Sequence, residues 1–244
     1  MTPGGEPTAW QAVLVRTSSN VASLMLSAAL CIAVSGCQGN DSPSRDQSPH
    51  DRLAAAKQGF DDADFIDFTL STKSLPDDVE GLLSAKGTGT HDPAFDGEVK
   101  VQTGFDVTAP LIAVDNDVYI KLPFSDWSTL DPARYGAPDP AELMDTKGGI
   151  SSLFTATEDL AVGDSSRDGE TVLTSIDGTI PGDAVKAVFP SSGDDGFDVS
   201  YTLTDGNRID SIEITGPFYD GSDDVTYSIS LDLDGDEVDI LAPI

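Results

Sequence analysis

One thiol in this chain stands where its neighbours give it chemistry. Cys37 closes the run Val34-Ser35-Gly36-Cys37, which ends an apolar stretch beginning at Val21. Small residues at Ser35 and Gly36 leave a peptidase room to cut before the cysteine. The Cys37 thiol is the only side chain there nucleophilic enough to take a thioether-linked diacylglycerol. The four residues therefore look like a lipobox, a signal for cleavage and lipidation. The apolar stretch has the length of a signal-peptide core and falls short of the roughly 20 residues that span a bilayer. Residues 1–36 are accordingly expected to be removed and the mature chain to begin at Cys37. Two or three acyl chains would hold it on a membrane, since each buried CH2 contributes roughly 0.8 kcal/mol and a single chain is marginal. The segment before the apolar stretch is unusual, with Arg16 as its one basic residue and a Pro/Gly-rich start. The true translation start is expected downstream of Met1.

Other reactive constellations are missing from the sequence. His50 and His91 have no nucleophile or paired base at a recognisable spacing, and both are expected to be solvated. No Gly-x-Ser-x-Gly, HExxH or Walker pattern occurs. Gly87-Thr88-Gly89 reads as a strand fragment, because no third glycine and helix follow. Asp232 to Asp236 begins like a calcium loop, but Glu237 stands where a glycine is needed and Pro243 where a bidentate Glu is needed. The pairs Asp61-Asp62, Asp77-Asp78 and Asp223-Asp224 read as loop carboxylates. The expectation is a protein that is not an enzyme and needs no cofactor and no metal.

Composition bounds the partners. Across 244 residues the formal net charge is -30, and the segment before Cys37 contributes only Arg16 and Glu6 to that balance. Nucleic acid is excluded as an electrostatic partner. So is flat adsorption of the domain on an anionic leaflet, where each basic residue would contribute about 1 kcal/mol and carboxylates are repelled. The other cysteine, Cys31, lies in the expected signal, so the folded part has no thiol left for a disulfide.

The elements that follow must supply a single domain. Residues 37–48 carry no apolar group able to join a core and read as a flexible tether of about 17 to 20 Å reach. Residues 49–244 form the domain. Ser48-Pro49 with Asp51 starts a helix whose Leu53, Ala56 and Phe60 share a face. Beyond Asp64 the period becomes two. Ile66, Phe68 and Leu70 alternate with polar residues, as do Val99 and Val101. Val107 to Val114, a turn at Asp115-Asn116-Asp117, and Val118, Ile120 and Leu122 make a hairpin, with Trp127 in the following loop. Short helical patterns lie at Pro140–Met144, Gly149–Thr157 and Pro181–Phe189. The clearest strands come last: Val199, Tyr201 and Leu203, then Ile212 and Ile214, then Val225 to Leu233. Many antiparallel strands with short helices inserted between them indicate an α+β fold on one large curved antiparallel sheet.

The order and spacing of several local words resemble the actinobacterial LppX/LprA/LprF/LprG lipoprotein family from Cys37 nearly to the end. These words are Asp117-Val118-Tyr119-Ile120, Asp126-Trp127-Ser128, Asp139-Pro140 to Met144, Lys147-Gly148-Gly149-Ile150 leading to Leu153, Gly178-Thr179-Ile180-Pro181 to Lys186-Ala187, and Asp239 to Pro243. The resemblance implies a half-open barrel, LolA/LolB-like, with short helices over its concave face and an apolar cavity between them. It implies binding of an acylated lipid or glycolipid and its transport through the cell envelope. The localisation implied is the extracytoplasmic face of the cell membrane, with the membrane held through Cys37 and an envelope transporter as a further partner. Burying one palmitate-length chain offers roughly 12 kcal/mol. Candidate lining residues are Val99, Val101, Ile112, Val114, Val118, Ile120 and Leu122 from the sheet, Leu143, Leu153 and Phe154 from the cover, and Trp127 at the entrance. A rival expectation from the same periodicity is a structural or sensory lipoprotein whose inward residues pack a solid core and which binds a protein or cell-wall partner.

Overall fold

A computed structural model describes residues 47–244 other than 78, 136 and 220. The expected signal peptide, Cys37 and all but the last residues of the expected tether lie outside the described residues.

The domain opens with helix α1, Pro49–Asp61, where the Ser48 hydroxyl accepts the Asp51 N–H and Pro49 sits at the first helical position. Leu53, Ala56 and Phe60, with the buried Arg52, form its inward face. Eleven antiparallel strands follow in one sheet, ordered β6-β5-β4-β3-β2-β1-β11-β10-β9-β8-β7. They are β1 Ile66–Ser71, β2 Gly81–Thr90, β3 Ala94–Gln102, β4 Asp106–Val114, β5 Asp117–Ile120, β6 Ser128–Leu130, β7 Glu158–Asp168, β8 Thr171–Ile180, β9 Phe197–Thr204, β10 Ile209–Gly216 and β11 Val225–Asp232. The chain runs outward from β1 to β6, then re-enters at β7 and runs back to β11, which pairs with β1. The sheet is therefore open, with β6 and β7 as its two edges.

Between β6 and β7 the chain makes short 3-10 turns at Pro132–Tyr135 and Glu142–Met144 and the helix α2, Ser152–Ala156. Helix α3, Gly182–Val188, joins β8 to β9. The expected helix at Pro140–Met144 is thus a single 3-10 turn, and β2 and β6 are strands that alternation did not mark out. Weak side-chain periodicity explains both omissions: β2 is rich in Gly and Thr and β6 has three residues.

One face of the sheet carries the core, and all the helical segments that bury residues cover that face. Buried residues of α1, β1, the Glu142–Met144 turn, α2, α3 and β8 to β11 form one cluster. In β9 and β11 every second residue is buried and the intervening ones face solvent. Among the polar ties that fix the cover in place, three are built on Arg52, Lys57 and His91. Arg52 donates through Nε to Asn207 Oδ1 at 2.8 Å and through Nη2 to the Thr204 carbonyl, which attaches α1 to the β9–β10 turn. Lys57 donates to Asp61 at 2.5 Å, to the Thr146 carbonyl and to Ser151 Oγ, and Ser151 in turn donates to Asp61 Oδ1. His91 is the third.

Candidate functional site

The sheet register decides which residues look toward the helices. Phe95 faces Ala113, Ala113 faces Val118 and Val118 faces Leu130. In the adjacent rows Val99 faces Ala109, Val101 faces Val107, and Leu111 faces Ile120. Residues opposite each other in an antiparallel pair share a face. Val99, Val101, Val118 and Ile120 therefore lie on the helix-bearing side. Val99 and Val118 are buried there, and Val101 and Ile120 are half-buried. Ile112 and Val114 lie on the other side, with Tyr119 opposite Ile112. They depart from the expected lining because Val107 to Val114 is apolar at both phases, so alternation alone does not say which residues turn inward.

Leu122 also departs from it. Strand β5 ends at Ile120, and Leu122 stands 46% exposed in the loop beyond, beside the fully exposed Phe124. Trp127 lies in that loop, as expected, and is half-buried. Leu153 and Phe154 are buried from α2 and Leu143 from the 3-10 turn, and all three belong to the main cluster.

Across β2 to β4 the helix-bearing side has a floor of small residues. Gly87 faces Gly97, Ala85 faces Val99, and Gly89 faces Phe95. The Phe95 ring lies over the Gly87–Gly97 pair, with its Cζ 2.8 Å and 2.7 Å from where a Cβ on either would stand. Met144 lies over Gly89 in the same way, its Cγ 2.6 Å from such a Cβ. Any side chain at these glycines would displace Phe95, Met144 or the neighbouring strand, so the space above the floor is filled by Phe95 of β3 itself and by Met144 of the Glu142–Met144 turn.

His91 holds that filling in place. Its Nδ1 lies 2.5 Å from the Met144 carbonyl and its Nε2 2.8 Å from the Phe60 carbonyl, while the ring packs edge-on to Phe60 at 5.6 Å. A carbonyl only accepts, so satisfying both bonds requires both ring nitrogens to donate. The expectation that His91 is solvated is therefore corrected. Its partners lie 31 and 53 residues away in the chain, and no local pattern announces them.

A cleft of about 410 Å3 opens between the β5–β6 edge and α3. Such a volume lies within the range of small-molecule pockets, about 300–1,000 Å3. Its apolar wall includes Val118, Leu130, Leu143 and Val188, with prolines and alanines of the β6-to-α2 connection completing it. Of the candidate lining residues, Val118 and Leu143 reach this cleft. Asp117, Asp131, Asp139 and Glu142 also line it, and among the described residues no Lys or Arg does. Burial pushes the Asp139 carboxyl above the usual carboxylate range, with backbone hydrogen bonds from Ala141 and Glu142 acting in the opposite sense. Sequence reasoning missed β6 and the Pro132–Pro138 wall. The prolines of that wall were its one signal, and β6, Ser128–Leu130, offered none.

Asp232 and Asp234, read as the start of a degenerate calcium loop, pair with Arg208 at 3.4 Å and 2.7 Å. Among the described residues no group of three or more His, Cys, Asp or Glu is placed to hold a metal ion. No helix among them is long and apolar enough to cross a membrane.

The family model described as LppX_LprAFG lipoprotein matches residues 48–240. No curated protein sequence matches the chain. Among solved structures it is similar to LprF from Mycobacterium bovis, at 15% identity and a TM-score of 0.65, over 82% of this chain and 99% of that one. It is also similar to LppX from Mycobacterium tuberculosis, at 16% identity and a TM-score of 0.59, over 79% of this chain and 97% of that one. At such identities the likeness to these two structures is a likeness of fold.

Proposed function

From the membership of this chain in the LppX_LprAFG lipoprotein family, we propose that it is a lipid-anchored lipoprotein of the extracytoplasmic membrane face that binds an acylated lipid or glycolipid and moves it through the cell envelope. The anchor is Cys37, and the domain acts as a carrier without catalysis. The observation that carries this reading is the cleft beside the β6 edge, about 410 Å3 with an apolar wall. An acyl chain laid on Val118, Leu130, Leu143 and Val188 removes hydrocarbon from water at roughly 0.8 kcal/mol per CH2. The small-residue floor under Phe95 and Met144 lies further in on the same face. Displacing these two side chains would lengthen the cleft along β2 to β4. Four carboxylates at the cleft, with no Lys or Arg among the described residues that line it, accept hydrogen bonds from sugar hydroxyls and repel phosphate, which favours a glycolipid over an anionic phospholipid as cargo.

The packed interior favours a second reading, a structural or sensory lipoprotein with a filled core that binds a protein or cell-wall partner. Phe95 and Met144 are almost fully buried where the first reading needs room. Native mass spectrometry of the chain from a lipid-containing host separates the two. A carrier retains a non-covalent acyl lipid that collisional activation strips off while the covalent anchor stays. A bare mass from several hosts, with no uptake of added glycolipid, rejects the carrier.

A further inference from the structure

A second groove, of about 340 Å3, lies on the solvent face of β1 to β3 and differs in chemistry from the cleft. Ser71 faces Ser84 across β1 and β2, and Ser84 faces Lys100 across β2 and β3, so the three form a row on the side away from the core. Lys73 and Ser74, just past the end of β1, close the groove. Two lysines and three serines thus line one groove, together with the Asp106 carboxylate, on a chain of net charge -30. Lys73 makes no ion pair or hydrogen bond among the described residues, and neither do the hydroxyls of Ser71, Ser74 and Ser84. Lys100 is held by Asp106 at 2.7 Å, with both side chains about half exposed, so an incoming anion can share that lysine. Ammonium and hydroxyl donors around a shared opening match the oxygens of a phosphate.

The neighbouring turn indicates where such a phosphate comes from. Thr103-Gly104-Phe105 joins β3 to β4, and Phe105, next in the chain to Asp106, is 72% exposed. Gly104 adopts φ +81, a conformation open to glycine, and the turn presents the ring to solvent. An apolar ring beside a cationic groove suits the boundary between headgroups and acyl chains, where each finds its preferred surroundings. We propose that this end of β1 to β4 docks on the membrane, with Lys73 and Lys100 taking the phosphate of an anionic phospholipid headgroup and Phe105 entering the interface beside it. An otherwise acidic domain would then meet the bilayer through the ends of these strands while its carboxylate-lined cleft stays free for cargo.

The test uses the full chain with tryptophan only at position 105, made by Trp10→Phe, Trp127→Phe and Phe105→Trp. It is mixed with phosphatidylcholine vesicles with or without phosphatidylglycerol. The apolar run at 21–34 can hold the chain on either vesicle, so attachment alone decides nothing and the surroundings of residue 105 are what is read. The expected result is a blue-shifted emission, protected from aqueous quencher, in the vesicles containing phosphatidylglycerol. Lys73→Gln and Lys100→Gln should each weaken that transition about fivefold, as one basic residue at an anionic surface does, with unchanged circular dichroism. An emission unmoved by phosphatidylglycerol, or shifted equally by phosphatidylcholine alone, overturns the proposal. So does displacement of the groove's lysine resonances by soluble glycerol 3-phosphate without entry of residue 105 into vesicles, which would indicate a site for free phosphate.

Discussion

The two flanks of the sheet fill the same face by opposite means. From β8 to β11 the strands fill it themselves: Ile176, Tyr201 and Ile212 meet across β8, β9 and β10, and Ile212 then meets Ile229 of β11, all almost fully buried. From β2 to β4 the strands offer Gly87, Gly89, Gly97, Ala85 and Ala109, and the volume above them is occupied by Phe95 and by Met144 from a 3-10 turn. A side chain on a strand is held by the strand's ladder of hydrogen bonds. One supplied by a short turn is held only by what ties that turn down, here His91 and the Lys57–Asp61–Ser151 group. The first flank is filled by strand residues alone, and the second is completed by Met144 from a short turn. Sites that open and close are drawn from the less stable regions of a fold.

The strongest way to break this comparison is to truncate each flank. Phe197, 1% exposed and edge-on to Phe218 at 5.0 Å, belongs to the first flank. Phe197→Ala is expected to lower the unfolding free energy by about 3–5 kcal/mol, measured by urea denaturation, and to leave glycolipid uptake unimproved. Met144→Ala, on the second flank, should cost about 2 kcal/mol, the low end for such a change, because turn and ring can settle onto Gly89. In the carrier reading the same substitution raises retention of acyl lipid in native mass spectra. Equal costs at the two positions, with no change in retention, would remove the distinction between the flanks.

A smaller effect sharpens it. His91→Phe keeps a ring against Phe60 but strands two carbonyls, and is expected to cost about 1–3 kcal/mol. Amide exchange should quicken around Met144 and the end of α1 and stay unchanged in β9 to β11. Uniform quickening across the sheet would mean that the cover is not a separate unit. The smallest effect belongs to Asp139. Burial raises its carboxyl pKa, so the folded state holds the proton more tightly than the unfolded chain, and this group favours folding as the pH falls through the carboxylate range. Asp139→Asn should therefore raise the urea midpoint slightly at pH 7 and flatten the acid side of the stability profile. A lowered midpoint at neutral pH, with the slope intact, would show that the carboxylate contributes favourably there.

Legibility in the sequence followed the same divide. Val225, Tyr227, Ile229 and Leu231 alternate with polar residues, and that alternation alone assigned their faces correctly. It failed at Ile112 and Val114, because β4 is apolar at both phases, and at Leu122, because nothing local marks the end of β5 at Ile120. Glycine-rich β2 carries no inward signal at all, since an absent side chain has no hydropathy. The cleft was illegible for a related reason: Val118 and Leu143 meet there only because β5 and the 3-10 turn come together across a long connection.

The first helix, the acidic surface and the inward residues of the later strands follow from the sequence alone, since each depends on residue composition or on the period of side chains along one element. The face that β4 presents, the filling of the glycine floor by Phe95 and Met144, and the seating of His91 between two distant carbonyls were decided by tertiary structure. Each is a relation between segments, and only the register of neighbouring strands and the docking of the cover set the distances on which it depends.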